Sequence, residues 1–395
     1  MNMKDMTHKI LEPMTLDQFF SGYWESQALH VSRNDSDYFT SLLAVSDLET
    51  VLASKELYFP AVQLTQKGRE IQSGDYTDAQ QRILGLRLLQ LHAEGATVVL
   101  SRAQNLFASL DRLCHEVTRL LKMRCQTNVY FSPPSRQGFN AHYDTHDVFI
   151  LQLQGEKTFH FYGEAVDLPF VDDTFDRSVI SPTEPTESIR LRAGDTLYIP
   201  RGVVHDAVAE EHGSLHITLG VFPVVMRDLM QSVVQVVAEN DRRCRQAVIP
   251  FAEDKAQLQT QLRAMADAMA NPQWLEEALL RQQEELSLSV SQDPTGAMSR
   301  IRASDDMTGD TVLKLRSCAV IDTQTANETL FVYVFGQVLE FEKPMADAVQ
   351  FIMNEDSFRA ADLAMLSEQQ QLALCQRLLR ENLLEVVSTG NADLT

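Results

Sequence analysis

Apolar residues first recur with a helical period and then, from Thr127 onward, with a period of two. Between 102 and 124, Leu106, Leu110, Leu113, Val117, Leu120 and Leu121 fall on one face of a 3.6-residue turn, which predicts an amphipathic helix. Related patterns predict helices at roughly 45–55 and 77–93. Thr15 and Gln18 have capping-box spacing just before Phe19 and Phe20, and 96–100 (ATVVL) reads as a short strand. Alternation at 127–131, 142–153, 157–162, 187–192, 196–199 and 214–222, punctuated by Gly, Pro and Asp, predicts a series of short strands. Such a series suits a sandwich or a barrel.

From about residue 224 the helical period returns, at 225–239, 255–270 and 274–286, with breaks at Pro250 and at Asn271-Pro272. This zone reads as a small bundle or an oligomerisation element. Beyond about 299 the pattern is mixed. Strands are expected at 312–315, 330–335 and 338–341 around a Gly336-Gln337 turn, helices at 345–354 and 368–381, and a last strand at 384–387. Pieces of that size suit a winged-helix-like module. The expected organisation is three zones, 1–223, 224–298 and 299–395, with no internal repeat.

The chain has 395 residues, enough for two or three domains. Its formal charge is −21, so it is a poor nonspecific binder of nucleic acid, and a basic protein or peptide suits it better. After Ile301 there are seven basic residues and about twice as many acids, which argues against direct DNA contact by the last module. Five widely spaced cysteines without a CxxC argue against a disulfide framework and a cysteine zinc site, and point to a reducing, cytoplasmic setting. The first residues show no apolar signal region, and no apolar run is long enough for a membrane span.

The chemistry concentrates in 138–163 and 191–207. His142 and Asp144 are two apart, so a strand there would present an imidazole and a carboxylate side by side. His205 ends a G-D-T-L-Y-I-P-R-G-V-V-H run, after a predicted strand and a Pro200/Gly202 turn. H-x-D alone recurs by chance; joined to that run it is specific. Two histidines and one carboxylate that leave half a coordination sphere open are the ligand set of non-haem Fe(II) oxygenases. No catalytic group beyond the metal centre is expected. His146 shares the face by strict alternation but is read as a polar residue just past the site. His160 and His212 are read as surface or structural. A 2-oxoglutarate cosubstrate needs a cation for its far carboxylate; Lys157, after a Gly155-Glu156 turn, is the candidate, with Asn128 and Tyr130 on one face of the preceding strand. His216 either lines the pocket or is structural. It joins Tyr143 and Arg201 as candidate substrate-pocket residues.

These residues resemble a known family. N-V-Y-F-S-P-P (128–134), Q-G-F-N-A-H-Y-D (137–144), V-F-I-L-Q-L-Q-G-E-K (148–157) and the 194–205 run are similar to the JmjC-type ribosomal oxygenases, cupin-like protein hydroxylases. The resemblance implies an α+β fold: a double-stranded β-helix (JmjC/cupin jelly-roll) with flanking helices, a helical dimerisation region and a C-terminal winged-helix-like domain. It implies Fe(II) on His142, Asp144 and His205, and 2-oxoglutarate held by Lys157, Asn128, Tyr130 and, on a later strand, Thr218. It further implies O₂-dependent hydroxylation of an arginine or histidine in a ribosomal protein, and a homodimer. Ser26-Gln27-Ala28-Leu29 and Phe139-Asn140-Ala141 depart from the family's pattern on the approach to the site, which leaves the substrate open, including a natural-product precursor peptide. Two other classes compete: a metal-binding cupin that ignores the keto acid, and an inactive scaffold.

Overall fold

The computed structural model describes residues 6–180, 184–248, 255–290, 294–326 and 328–387. Pro250, expected to break a helix, lies outside them. The chain divides into two compact units, Met1–Pro223 and Val224–Thr395.

The first unit runs α1 (Met6–Leu11), α2 (Leu16–Gly22), β1 (Leu29–Val31), α3 (Val45–Ser54), β2 (Val62–Thr65), α4 (Gly85–Ala93), β3 (Thr97–Leu100), α5 (Ala108–Leu121), β4 (Arg124–Ser132), β5 (Asp147–Glu164), β6 (Glu187–Arg192), β7 (Thr196–Ile199) and β8 (Val203–Phe222). The capping box at Thr15 and Gln18 forms as the spacing predicts. The 77–93 helix starts only at Gly85, because Thr77 and Arg82 are drawn into isolated bridges with Ile83 and Tyr58. The helix expected over 102–124 is shorter too: it begins at Ala108 and ends where Lys122 turns left-handed.

The strands form one antiparallel sheet in the order β1-β7-β5-β8-β4-β3-β2, with β6 also on β5. The two strands expected at 142–153 and 157–162 are a single strand, β5. The expected Gly155-Glu156 turn is a register shift inside it. Gly155 takes φ +67°, and a Cβ there would lie 2.1 Å from the Gly213 carbonyl oxygen of the paired strand. The backbones approach too closely for a side chain, so the irregularity stays in the ladder as a bulge. Residues 142–146 are not part of β5, and the strand expected at 214–222 is the far half of β8.

Alternation along β5 and β8 separates two apolar layers. Phe149, Leu151, Leu153, Leu215, Ile217, Leu219 and Val221 join the core that also holds Leu88, Leu91, Leu110, Leu113 and Val117 of α4 and α5. Val148, Ile150, Phe159, Phe161, Leu191, Leu197 and Ile199 form a second cluster on the opposite face.

The second unit contains α6 (Met226–Asn240), α7 (Lys255–Met269), α8 (Pro272–Ser289), α9 (Ala297–Asp306), β9 (Val312–Leu315), β10 (Asp322–Ala326), β11 (Thr329–Val334), β12 (Gln337–Glu342), α10 (Met345–Asn354), β13 (Phe358–Arg359), α11 (Glu368–Arg380) and β14 (Leu384–Val386). Val233, Val236, Val237 and Ala278 pack α6 against α8, with Met265 of α7 and Trp274 beside them. Asn271 caps α8 and Pro272 occupies its first turn, where a missing N–H costs nothing. Strands β10, β11 and β12 form a meander, while β13, β9 and β14 form a separate sheet. Leu330, Val332, Val349, Ile352, Leu374 and Leu378 share their core. Among the described residues no helix is long and apolar enough to cross a membrane.

Gly155→Ala should destabilise the first unit by on the order of 3 kcal/mol, since it combines a strained φ with a backbone clash. Thermal unfolding followed by circular dichroism would show it as a lowered midpoint.

Candidate metal centre and its two pockets

Two distant segments meet through their backbones. The His142 N–H donates to the His205 carbonyl at 3.0 Å, and the His205 N–H donates back to that of His142 at 2.8 Å. The Gly202 N–H donates to the Asp144 carbonyl at 2.9 Å. His142 and Asp144 therefore lie in a segment just before β5, tied by a single bridge, and not on a strand as alternation predicts.

The donor atoms of His142, Asp144 and His205 lie within 4.8 Å of one another; among the described residues no other such His, Cys, Asp and Glu group occurs. Nδ1 of His142 faces the Asn140 carbonyl at 3.0 Å, and Nδ1 of His205 faces that of Val203 at 3.0 Å. A carbonyl only accepts, so each Nδ1 carries the proton and each Nε2 keeps a lone pair. Burial, reinforced by His142, pushes His205 down to about 4, so its ring is neutral at pH 7, as a metal ligand must be. Burial raises the Asp144 carboxyl, but His205, His142 and His146 outweigh it and leave it below its usual range. One carboxylate and two imidazoles whose Nδ1 atoms are already engaged fit a divalent cation, and they leave its other positions open.

Behind the three donors lies an inner pocket walled by alternate residues of β4, β5 and β8. Asn128 is in register with Thr218, and Tyr130 with His216, so these four share one face. The Tyr130 ring stacks on His216 at 4.9 Å between centroids. Asn128 Oδ1 already accepts from the Arg102 N–H at 3.1 Å, which leaves its amide hydrogens to donate. The Lys157 Nζ is 3.5 Å from Ser132 Oγ and 5.9 Å from the Tyr130 centroid. Burial pushes Lys157 down to about 7, and no carboxylate offsets it. Burial and the Lys157 charge together push His216 well below its usual value, and its Nδ1 is buried without a hydrogen-bond partner. A buried amine and an unpaired imidazole nitrogen at the closed end suit a carboxylate.

A second, more open pocket shares Phe139, His142, Asp144 and His146 with the first and adds Tyr143, Asp173, Phe175 and Arg177. The last three come from the segment between β5 and β6. The Tyr143 hydroxyl accepts from the Asp176 N–H at 3.2 Å, and its ring lies 5.1 Å from that of Phe175. No sequence signal marks Asp173, Phe175 or Arg177. Thr97, Phe159 and Ala207 of the inner pocket were also not singled out, although Phe159 shares its face with Lys157 by alternation.

The structure separates the remaining candidates. His146 stays outside the donor group and stacks on Phe222 at 4.6 Å; it packs against Gly220, where a Cβ would lie 2.7 Å from its ring. His160 bonds Ser188 Oγ at 2.7 Å and lines neither pocket. Arg201, expected in the substrate pocket, is only 4% exposed and lines neither. Its guanidinium turns into the protein because Asp147 and Glu25 hold it at 2.7 and 2.6 Å.

A model of the JmjC domain family matches residues 100–229. The "Bifunctional lysine-specific demethylase and histidyl-hydroxylase NO66" of Drosophila grimshawi is 31% identical over 240 residues, which are 58% of this chain and 32% of that protein. The Drosophila mojavensis protein of the same name is 30% identical over 55% of this chain and 25% of its own length. The chain thus spans about a third or less of these relatives. Among solved structures, Escherichia coli YcfD, described as a ribosomal oxygenase in complex with cobalt and 2-oxoglutarate, is 15% identical, with a TM-score of 0.55 over 95% of this chain and 99% of that one. Residues 100–229 are thus a JmjC domain. The chain's antiparallel sheet with flanking helices is the JmjC/cupin-type fold, and the likeness to YcfD is one of fold.

Lys157→Met gives a check on the pocket's electrostatics in this JmjC domain. Unfolded, Lys157 has its ordinary value near 10.5; folded it falls to about 7, so folding releases a proton between those pH values. The penalty is full below pH 7, shrinks as pH rises and is gone above the ordinary lysine range. The depression corresponds to at most roughly 5 kcal/mol. The ligand-free variant should therefore unfold at a higher temperature than the parent at pH 7, with the gap closing toward pH 11.

Proposed function

We propose that this chain is an Fe(II)- and 2-oxoglutarate-dependent oxygenase that hydroxylates an arginine or histidine side chain of a ribosomal protein. The observation that carries this reading is the arrangement of His142, Asp144 and His205 as three donors between an inner pocket that holds Lys157 and a more open outer one. His142, Asp144 and His205 would hold the iron. Lys157, Asn128, Tyr130 and Thr218 would hold the far carboxylate of 2-oxoglutarate, with His216 beside them. With both bound, such a centre supplies the O₂-dependent chemistry that hydroxylates an unactivated C–H bond. The chain's own part is to fix both imidazoles in one tautomer, neutralise a buried carboxylate and present the target side chain across the shared wall. The net charge of −21 favours encounter with a basic substrate.

The same reading extends to organisation: a JmjC region over 1–223, a helical dimerisation region over 224–298 and a winged-helix-like domain over 299–395. Met226, Met230 and Val234 are exposed at i, i+4 and i+8 on α6, while Val233, Val236 and Val237 are buried. That second apolar stripe supports a homodimer. The β11–β12 hairpin with α10 and α11 supports the winged-helix reading. Five cysteines, none of them in a disulfide, fit a cytoplasmic setting.

Adding Fe(II) and then 2-oxoglutarate without oxygen should produce the weak visible charge-transfer band of a chelated keto acid, and His142→Ala should abolish it. A metal-binding protein of another class would take the metal and show no band, which would refute the oxygenase reading. For the dimer, Met230→Asp combined with Val234→Asp should halve the mass found by light scattering while leaving helix content unchanged.

A further inference from the structure

Three ties run in succession between the segment bearing His142 and Asp144 and the turn that leads to His205. Two of the ties are made by the backbone, with three hydrogen bonds between them: the reciprocal pair of His142 and His205, and the Gly202 N–H to the Asp144 carbonyl. The third is built from side chains. Asp147 is fully buried and accepts from Arg201 Nη1 at 2.7 Å and from the Tyr198 hydroxyl at 2.7 Å. The other terminal nitrogen of Arg201 lies 2.6 Å from the Glu25 carboxylate, and the Glu25 N–H donates to the Tyr198 hydroxyl at 3.0 Å, which closes a ring.

We propose that Asp147 and Arg201 are positioning residues whose buried ion pair sets the separation of the His142–Asp144 segment from the His205 strand, and so sets metal affinity. This rests on the reading of the three donors as a metal centre. Residues 143–146 have no strand ladder of their own, and Asp147 is where regular pairing of β5 begins. Arg201 sits at the tip of the β7–β8 turn, beside Gly202. Among the described residues, the backbone hydrogen bonds between residues 142–146 and the turn leading to His205 are the His142–His205 pair and the Gly202–Asp144 bond. A buried ion pair adds little stability over a well-packed apolar pair, so its place between two ligand-bearing segments is better explained by geometry than by stability. The planar guanidinium spans two carboxylates at fixed distance, which a lysine ammonium cannot do. Loss of outer-sphere support typically weakens metal binding about 10- to 100-fold.

The test uses the full chain and Co(II) alone, read by calorimetry and by the visible absorption of the bound ion. The Asp147→Leu/Arg201→Met double variant should keep a thermal midpoint near that of the parent and bind Co(II) about tenfold or more weakly, with an altered band. Arg201→Lys should show the same weakening, and it takes the place of the double variant should that one fail to fold. The comparison is Arg33→Met, which removes a guanidinium held at the other end of β7 by Gly194 and Thr196 at 3.0 and 2.8 Å; it should lose thermal stability and keep Co(II) affinity. Parent-like affinity and spectrum in the folded variants would overturn the proposal, as would an equal affinity loss in Arg33→Met. A parent chain that takes up no Co(II) would instead end the metal-centre reading, and this proposal with it.

Discussion

The two reciprocal backbone hydrogen bonds between His142 and His205 bring together everything else in the site. They join a segment with no strand of its own to the start of β8, and each fixes the side chain that follows from its Cα. Both rings then find a carbonyl for Nδ1, so the nitrogens that face inward are the ones with lone pairs. The protein does not need to reorganise these donors to receive a cation. The cost of ordering them was met when the sheet formed.

The inner pocket follows a second constraint. An amine and an imidazole nitrogen are buried with too few partners, and the rest of the sheet must hold them there. Such groups weaken the empty fold and strengthen its grip on an anion that completes them. Val148, Ile150 and Phe159 give the same pocket an apolar side.

Much of this was legible from the residues. The period-two alternation located β4, β6 and β7, and the shared face of Asn128 and Tyr130 follows from spacing alone. What failed did so for identifiable reasons. Alternation across 142–147 looks like a strand, yet residues 142–146 pair only at one bridge, a tertiary choice that periodicity does not encode. Gly155 reads as a turn, but β8 is close enough to hold it in a bulge. Arg201 follows a proline in an exposed-looking turn; its buried partner Asp147 lies 54 residues away, and Glu25 farther still. Asp173, Phe175 and Arg177 belong to an irregular segment in which pattern carries no information about contact. The polar strand β10 was missed because Asp-Thr-Gln-Thr-Ala offers no apolar alternation, and it is held by β11 instead.

One wall of the outer pocket hangs from the link between β5 and β6, outside the sheet and apart from the three donors. Drift in that link, by insertion or exchange of Asp173, Phe175 or Arg177, would leave the three donors and the Lys157 end of the inner pocket untouched. On the proposed reading, target choice and chemistry would then sit in separable stretches of the gene, so that one scaffold could be retargeted with its reactivity inherited unchanged.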